Sequence, residues 1–179
     1  MFGIGRAYGI EFLLKKKTGR LTGWVGYTLS RTERQIAGIN EGNWYAAKQD
    51  QTHDVALVGI YPLTKNWTLS ASWVYKTGNA VTFPSGKYEV NGTTQYYYTE
   101  RNGYRMPAYH RLDLSATRTL KKRKNYETEL VFGLYNAYGR ANPYKISFQN
   151  DPNDATKTQA VETYLFKQVP SISWNFKFY

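Results

Sequence analysis

A chain of 179 residues carries 24 Lys plus Arg against 13 Asp plus Glu, a formal net charge of +11, and no cysteine. Disulfide scaffolds and thiolate chemistry are excluded, and 2 His are too few for most zinc sites. No apolar run approaches the roughly 18 residues of a membrane helix, and the opening MFGIGRAYGI lacks the pattern expected of a secretory signal.

Thirty aromatics (17 of them Tyr) and 15 Gly in a polar chain describe a β-rich protein with many turns better than a helical bundle. The hydrophobic period is two along most of the chain, the mark of strands with two unlike faces. Tyr8, Ile10, Phe12 and Leu14 alternate with Gly9, Glu11 and Lys15; Leu21, Val25, Tyr27 and Leu29 alternate with Thr22, Gly26, Thr28 and Ser30. Residues 52–62 are equivocal, because Val55, Leu57, Val58 and Ile60 do not keep one parity. Alternation returns in Trp67, Leu69, Ala71, Trp73 and Tyr75, then in Leu112, Leu114, Ala116 and Leu120. It continues through Tyr126, Thr128, Leu130, Phe132, Leu134, Asn136 and Tyr138, and closes with Ile172, Trp174, Phe176 and Phe178. About seven strands and little helix are predicted.

Short basic or Gly-containing turns fall at Lys17–Arg20, Leu63–Asn66 and Lys121–Asn125, and long polar segments at about 33–51, 78–107 and 141–161. Loops beyond roughly 15 residues usually serve function. Antiparallel neighbours place every second connection at the same end, so short turns share one rim and long loops the other, as in outer-membrane barrels. Trp67 and Tyr75 stand eight residues apart and Tyr126 and Tyr138 twelve. Those separations span very roughly 20–30 Å of height on tilted strands, close to the lipid-facing band and its aromatic girdles. The same pattern also suits a soluble β-sandwich whose aromatics form its core.

At this point the residues resemble a family. RNGYRMPAYHRLDLSAT resembles the Arg-x-Pro-x-Tyr-x-Arg-x-Asp segment of TonB-dependent outer-membrane receptors, through Arg105, Pro107, Tyr109, Arg111 and Asp113. FGLYNAYGRANPY is similar to their penultimate strand and following loop, with Tyr135, Asn136, Asn142, Pro143 and Tyr144 matching. LSASWVYKTGNAVTFP and the closing VPSISWNFKFY fit the same region, and receptors of the Bacteroidetes type are the nearest subgroup. The resemblance implies that residues 1–179 are the C-terminal part, roughly the last third, of a plugged barrel of about 22 strands. It implies an all-β, antiparallel up-and-down transmembrane barrel segment in the cell outer membrane of a Gram-negative bacterium. The implied function is TonB-dependent uptake of a siderophore, a glycan or another nutrient. The plug domain is not in this sequence, and the implied partners are outer-membrane lipid, the missing N-terminal barrel strands and plug, the TonB system acting through that plug, and the barrel-assembly machinery. The final strand resembles an assembly signal through Trp174, Phe176 and Phe178, although Tyr179 falls one residue out of phase.

No enzyme chemistry, cofactor, metal or nucleic-acid partner is expected. His53 and Asp54 are adjacent on a strand and His110 and Asp113 have opposite parity, so neither pair converges. Glu127 and Glu129 share a parity and could serve as an acid pair, but are expected instead to line the lumen and pair with Lys or Arg. The basic turns could meet anionic headgroups or simply keep the turns solvated. Trp44, Tyr45, Tyr96, Tyr97 and Tyr98 are candidate ligand contacts, as rings that stack on a sugar or as loop packing. The alternatives are a soluble β-sandwich that binds carbohydrate through these Tyr-rich loops and an outer-membrane enzyme with its site at the loop rim.

Overall fold

The computed structural model describes residues 2–154 and 157–179. Those residues are all-β, with one 3-10 turn at Asn40–Gly42 as their helical element. The strands are β1 (Gly3–Lys16), β2 (Thr22–Ile36), β3 (Tyr45–Ala46), β4 (His53–Pro62), β5 (Trp67–Lys76), β6 (Ala80–Val81) and β7 (Gly86–Val90). They continue with β8 (Thr93–Tyr97), β9 (Tyr104–Arg105), β10 (Tyr109–Lys122), β11 (Tyr126–Tyr135), β12 (Pro143–Asn150), β13 (Thr158–Tyr164) and β14 (Val169–Phe178).

The main sheet runs β1-β2-β4-β5-β10-β11-β14, with β3 added on β2. It does not close, so β1 and β14 are its edges. All seven strands of the path fall on the seven segments read from the sequence, the equivocal 52–62 included. The three short turns lie where expected. The long segments are the correction: they are not plain loops but carry β3, the pairs β6–β9 and β7–β8, and the hairpin β12–β13.

The chain clusters into two compact units. One holds the N-terminal residues to Glu11, Thr28–Asp54 and Lys76–Ala108; the other holds Phe12–Tyr27, Val55–Tyr75 and Tyr109–Tyr179. The first two long segments therefore belong to one unit and the third to the other.

In the second unit the register of β10, β11 and β14 fixes what each face carries. Leu114, Leu134 and Pro170 share one row; Ala116, Phe132 and Ile172 share the next; Arg118, Leu130 and Trp174 a third. Directly opposed residues of an antiparallel pair point to the same side, so this face is apolar over most of its length. Among the described residues nothing covers it: Phe132 is 38% exposed, Ile172 70%, Trp174 63% and Phe178 80%. The other face carries Lys122, Glu127 and Lys177 in one cross-strand row. There Lys122 pairs with Glu127 at 3.7 Å and Lys177 with Glu129 at 3.3 Å. The Tyr179 hydroxyl donates to Glu127 Oε2 at 2.7 Å, so the out-of-phase residue joins the charged face while Phe178 lies on the apolar one.

The fully or nearly buried apolar side chains among the described residues are only Tyr45, Ala47 and Ala80. The accessible surface is 12729 Å², against roughly 8,900 Å² for a compact monomer of this mass. In the second unit no second apolar layer of described residues lies over Phe132, Ile172 and Trp174, which adds to that exposed area.

The β12–β13 hairpin is held by local chemistry. Asp151 accepts the Asn153 amide at 2.8 Å and the Gln159 side chain at 2.8 Å, bonds that hold its carboxyl below the usual carboxylate range.

Candidate functional site

The first two long segments are knitted together in the first unit. Arg34 is paired with Tyr45 where β3 adds to β2, and Ala80 with Arg105 where β6 meets β9. A Cβ at Gly78 would fall on the carbonyl of Met106, so only glycine permits the approach that brings Pro107 and its neighbours against the start of β6.

Buried ions hold these segments in place. Asp50 is 1% exposed and accepts from the Thr32 amide and from the Arg105 guanidinium, which also donates to the Asp50 carbonyl at 3.0 Å and to the Gly78 carbonyl at 3.2 Å. A carboxylate removed from water this far needs such partners. Glu33, 3% exposed, is clamped by Arg6 at 2.7 Å and Arg31 at 2.6 Å, and Arg6 lies over the Trp44 ring at 4.1 Å. Asn40 and Asn102 both adopt left-handed backbone, with φ of 49° and 56°. Asn40 donates to the Arg101 carbonyl at 2.9 Å and accepts its amide at 2.7 Å, while Asn102 donates to the Ala46 carbonyl at 2.8 Å.

These bonds frame a cavity of about 660 Å³ lined by Arg34, Lys48, Tyr45, Tyr98, Thr82 and Arg101, among others. A neighbouring hollow of about 440 Å³ reaches Trp44. Three cations face one carboxylate, Glu100, at the larger cavity. Among the described residues no ion pair involves Arg34, Lys48 or Arg101. The surface therefore suits a polyhydroxylated or anionic ligand with one ring face to stack.

Of the five aromatic candidates, Tyr45 and Tyr98 line the larger cavity and Trp44 the smaller. Tyr96 and Tyr97 line neither; they belong to the β7–β8 hairpin, where Tyr97 packs on Tyr88 with ring centroids 6.4 Å apart. Arg34, Lys48 and the two asparagines were not read from the sequence. Asn102–Gly103 and Asn91–Gly92 carried a turn signal, since such pairs favour left-handed backbone.

The motif residues form two groups. Arg105 belongs to the Asp50 pair, and Pro107 follows the close approach at Gly78. Tyr109, Arg111, Asp113, Tyr135, Asn136 and Asn142 gather in the second unit. Arg111 donates to Asp113 at 2.8 Å and to the Tyr109 hydroxyl at 2.9 Å, and lies over the Tyr135 ring at 4.1 Å. Asp113 in turn accepts the Asn136 amide at 2.9 Å, and Asn142 exchanges two bonds with the His110 backbone. Pro143 opens β12, and Tyr144 beside it is 69% exposed. This second group binds the end of β11 to the start of β10 and is architectural.

Asn136 is the tightest member: 1% exposed, at φ of 52°, donating to the Arg140 carbonyl at 2.8 Å. Asn136→Ala is expected to cost about 2–3 kcal/mol, from the lost bonds and the strained backbone. Asn136→Gly relieves the strain and should cost about half as much. Global unfolding in urea is the measurement, and equal losses in the two variants would contradict the account.

His110 Nδ1 meets the Tyr138 hydroxyl at 2.7 Å, and Asp54 pairs with Lys76 at 2.9 Å. Among the described residues no three His, Asp or Glu side chains gather as a metal site. Compared with family models, with curated proteins and with solved structures, the chain finds no match in any of the three.

Proposed function

We propose that this chain forms part of the wall of an outer-membrane β-barrel, the C-terminal part of a TonB-dependent receptor, and serves nutrient uptake rather than catalysis. One observation carries the reading: an uncovered apolar face bounded by aromatics at both ends, backed by a face of paired charges. At the turn end, Tyr126 lies opposite Phe178, and Trp174 packs on Phe176 with ring centroids 4.6 Å apart. At the loop end, Trp73, Tyr75, His110 and Tyr138 form a continuous chain of ring contacts at 6.2, 6.5 and 5.5 Å. Two aromatic belts flanking an aliphatic band match what a lipid bilayer selects on the outside of a barrel.

In this reading the charged face lines a wet interior, and β1 and β14 pair with further strands, because open edges are not tolerated in lipid. The loop cavity contacts the nutrient, a glycan or a siderophore, through Tyr45, Tyr98 and its surrounding cations. TonB acts through a plug, and the assembly machinery reads Trp174, Phe176 and Phe178.

The test uses single-tryptophan variants of the chain in vesicles of brominated phospholipid. Trp174 is expected to be strongly quenched by the bromine and Trp44 not. Equal quenching of the two, or a monodisperse monomer that ignores both detergent and vesicles, would overturn the proposal in favour of a soluble carbohydrate-binding protein.

A further inference from the structure

The apolar face of the second unit is not smooth. A cleft of about 540 Å³ crosses it, lined by Gly59 and Tyr61 of β4, Leu69 and Ala71 of β5, Leu114 and Ala116 of β10, and side chains of β11. Small residues on three adjacent strands make the channel, and Leu69, Leu114 and Phe132 make its walls. Its lining is almost wholly apolar carbon. A membrane wall needs no such channel to be stable, since smooth aliphatic surface serves equally well.

At the turn end of the cleft stand two cations on this same face. Arg20 lies over the Tyr61 ring at 4.6 Å and donates to the carbonyls of Pro62 and Leu63 at 3.0 and 2.6 Å. Arg118 lies over the Trp67 ring at 5.6 Å, and Trp67 stacks on Phe132, which lines the cleft. Arg118 shares its row with Leu130 and Trp174, so its charge is on the apolar side and not among the paired charges opposite. Among the described residues neither arginine has a carboxylate within ion-pair distance. Two uncompensated guanidinium groups on the lipid-facing side, each set over a ring that borders or adjoins the cleft, call for an anion with an apolar tail.

We infer that this cleft binds one anionic phospholipid, its acyl chain along Gly59, Ala71 and Ala116 and its phosphate between Arg20 and Arg118. The charge pattern fits that occupant: guanidinium pairs phosphate bidentately, and the cleft admits a methylene chain. The inference rests on the membrane-wall reading, and the experiment separates the two.

The chain retaining Trp67 as its one tryptophan is placed in mixed vesicles of phosphatidylglycerol and phosphatidylcholine, with bromine on one lipid or the other. Bound phosphatidylglycerol should quench Trp67 well beyond its share of the bilayer, with a selectivity of at least about fivefold, the effect expected of one cation near such a surface. In Arg20→Gln/Arg118→Gln the selectivity should fall to about one, while Lys124→Gln, which removes a charge from the neighbouring turn, should keep it. Equal quenching by both lipids in the parent chain, or loss of selectivity in Lys124→Gln as large as in the double variant, overturns the lipid site and leaves the wall intact. Absence of quenching by either lipid overturns both.

Discussion

Ile172→Arg is expected to destabilise the vesicle-inserted chain by about 2–4 kcal/mol, the cost of a cation on the lipid side of a barrel strand near mid-depth. Its neighbour Ser173 lies opposite Val131 on the other face of the same edge strand. Ser173→Arg should change stability by less than about 0.5 kcal/mol, because in the proposed wall that side meets water and charge. The contrast is informative because Ile172 is already 70% exposed. In a water-soluble protein, replacing so exposed a residue would stay within about 0.5 kcal/mol, so both variants would be silent. Urea titration followed by tryptophan fluorescence gives the difference directly. Two silent variants would remove the membrane from the account.

Arg105→Ala should be the most damaging change in the first unit, at about 3–5 kcal/mol, since it leaves the Asp50 carboxylate buried with only the Thr32 amide as partner. The double variant Asp50→Asn/Arg105→Gln removes both charges and should recover much of the loss. Hydrogen exchange in 45–51 and 78–107 reports the opening, and the β12–β13 hairpin provides the internal control. A double variant as damaged as Arg105→Ala would mean that shape rather than charge holds the segments.

What the sequence reveals here depends on how local the cause is. The seven sheet strands are legible because each presents unlike surroundings on its two sides, which writes a period of two. The segment 52–62 resists that reading because Val58 and Ile60 add apolar residues to the inner parity while Gly59 thins the outer one. The β7–β8 hairpin had a legible sign in Asn91–Gly92, whose φ values of 50° and 74° are those a tight hairpin requires. The cavity had none. Its geometry depends on Asp50 meeting Arg105 and on Asn40 meeting Arg101, partners far apart in the chain, in segments whose composition carries no period. Tyr45 and Tyr98 were legible as unusual loop aromatics, Tyr96 and Tyr97 equally so, and only the pairing of β7 with β8 separates them. Arg105 and Arg111 stand six residues apart in one motif yet serve different ion pairs, a division that spacing alone does not disclose.

The order of the main sheet also bears on how the chain acquires its structure. Every strand on the path pairs with the next path strand along the chain, so no early residue must wait for a late one. Such sequential pairing lets the sheet assemble stepwise, each strand docking on one already in place. The two longest excursions, between β5 and β10 and between β11 and β14, contain hairpins of their own, which gather slack before the distant ends meet and so reduce the entropy lost on closing those loops. Growth can then proceed one hairpin at a time along the path, from β1 to β14.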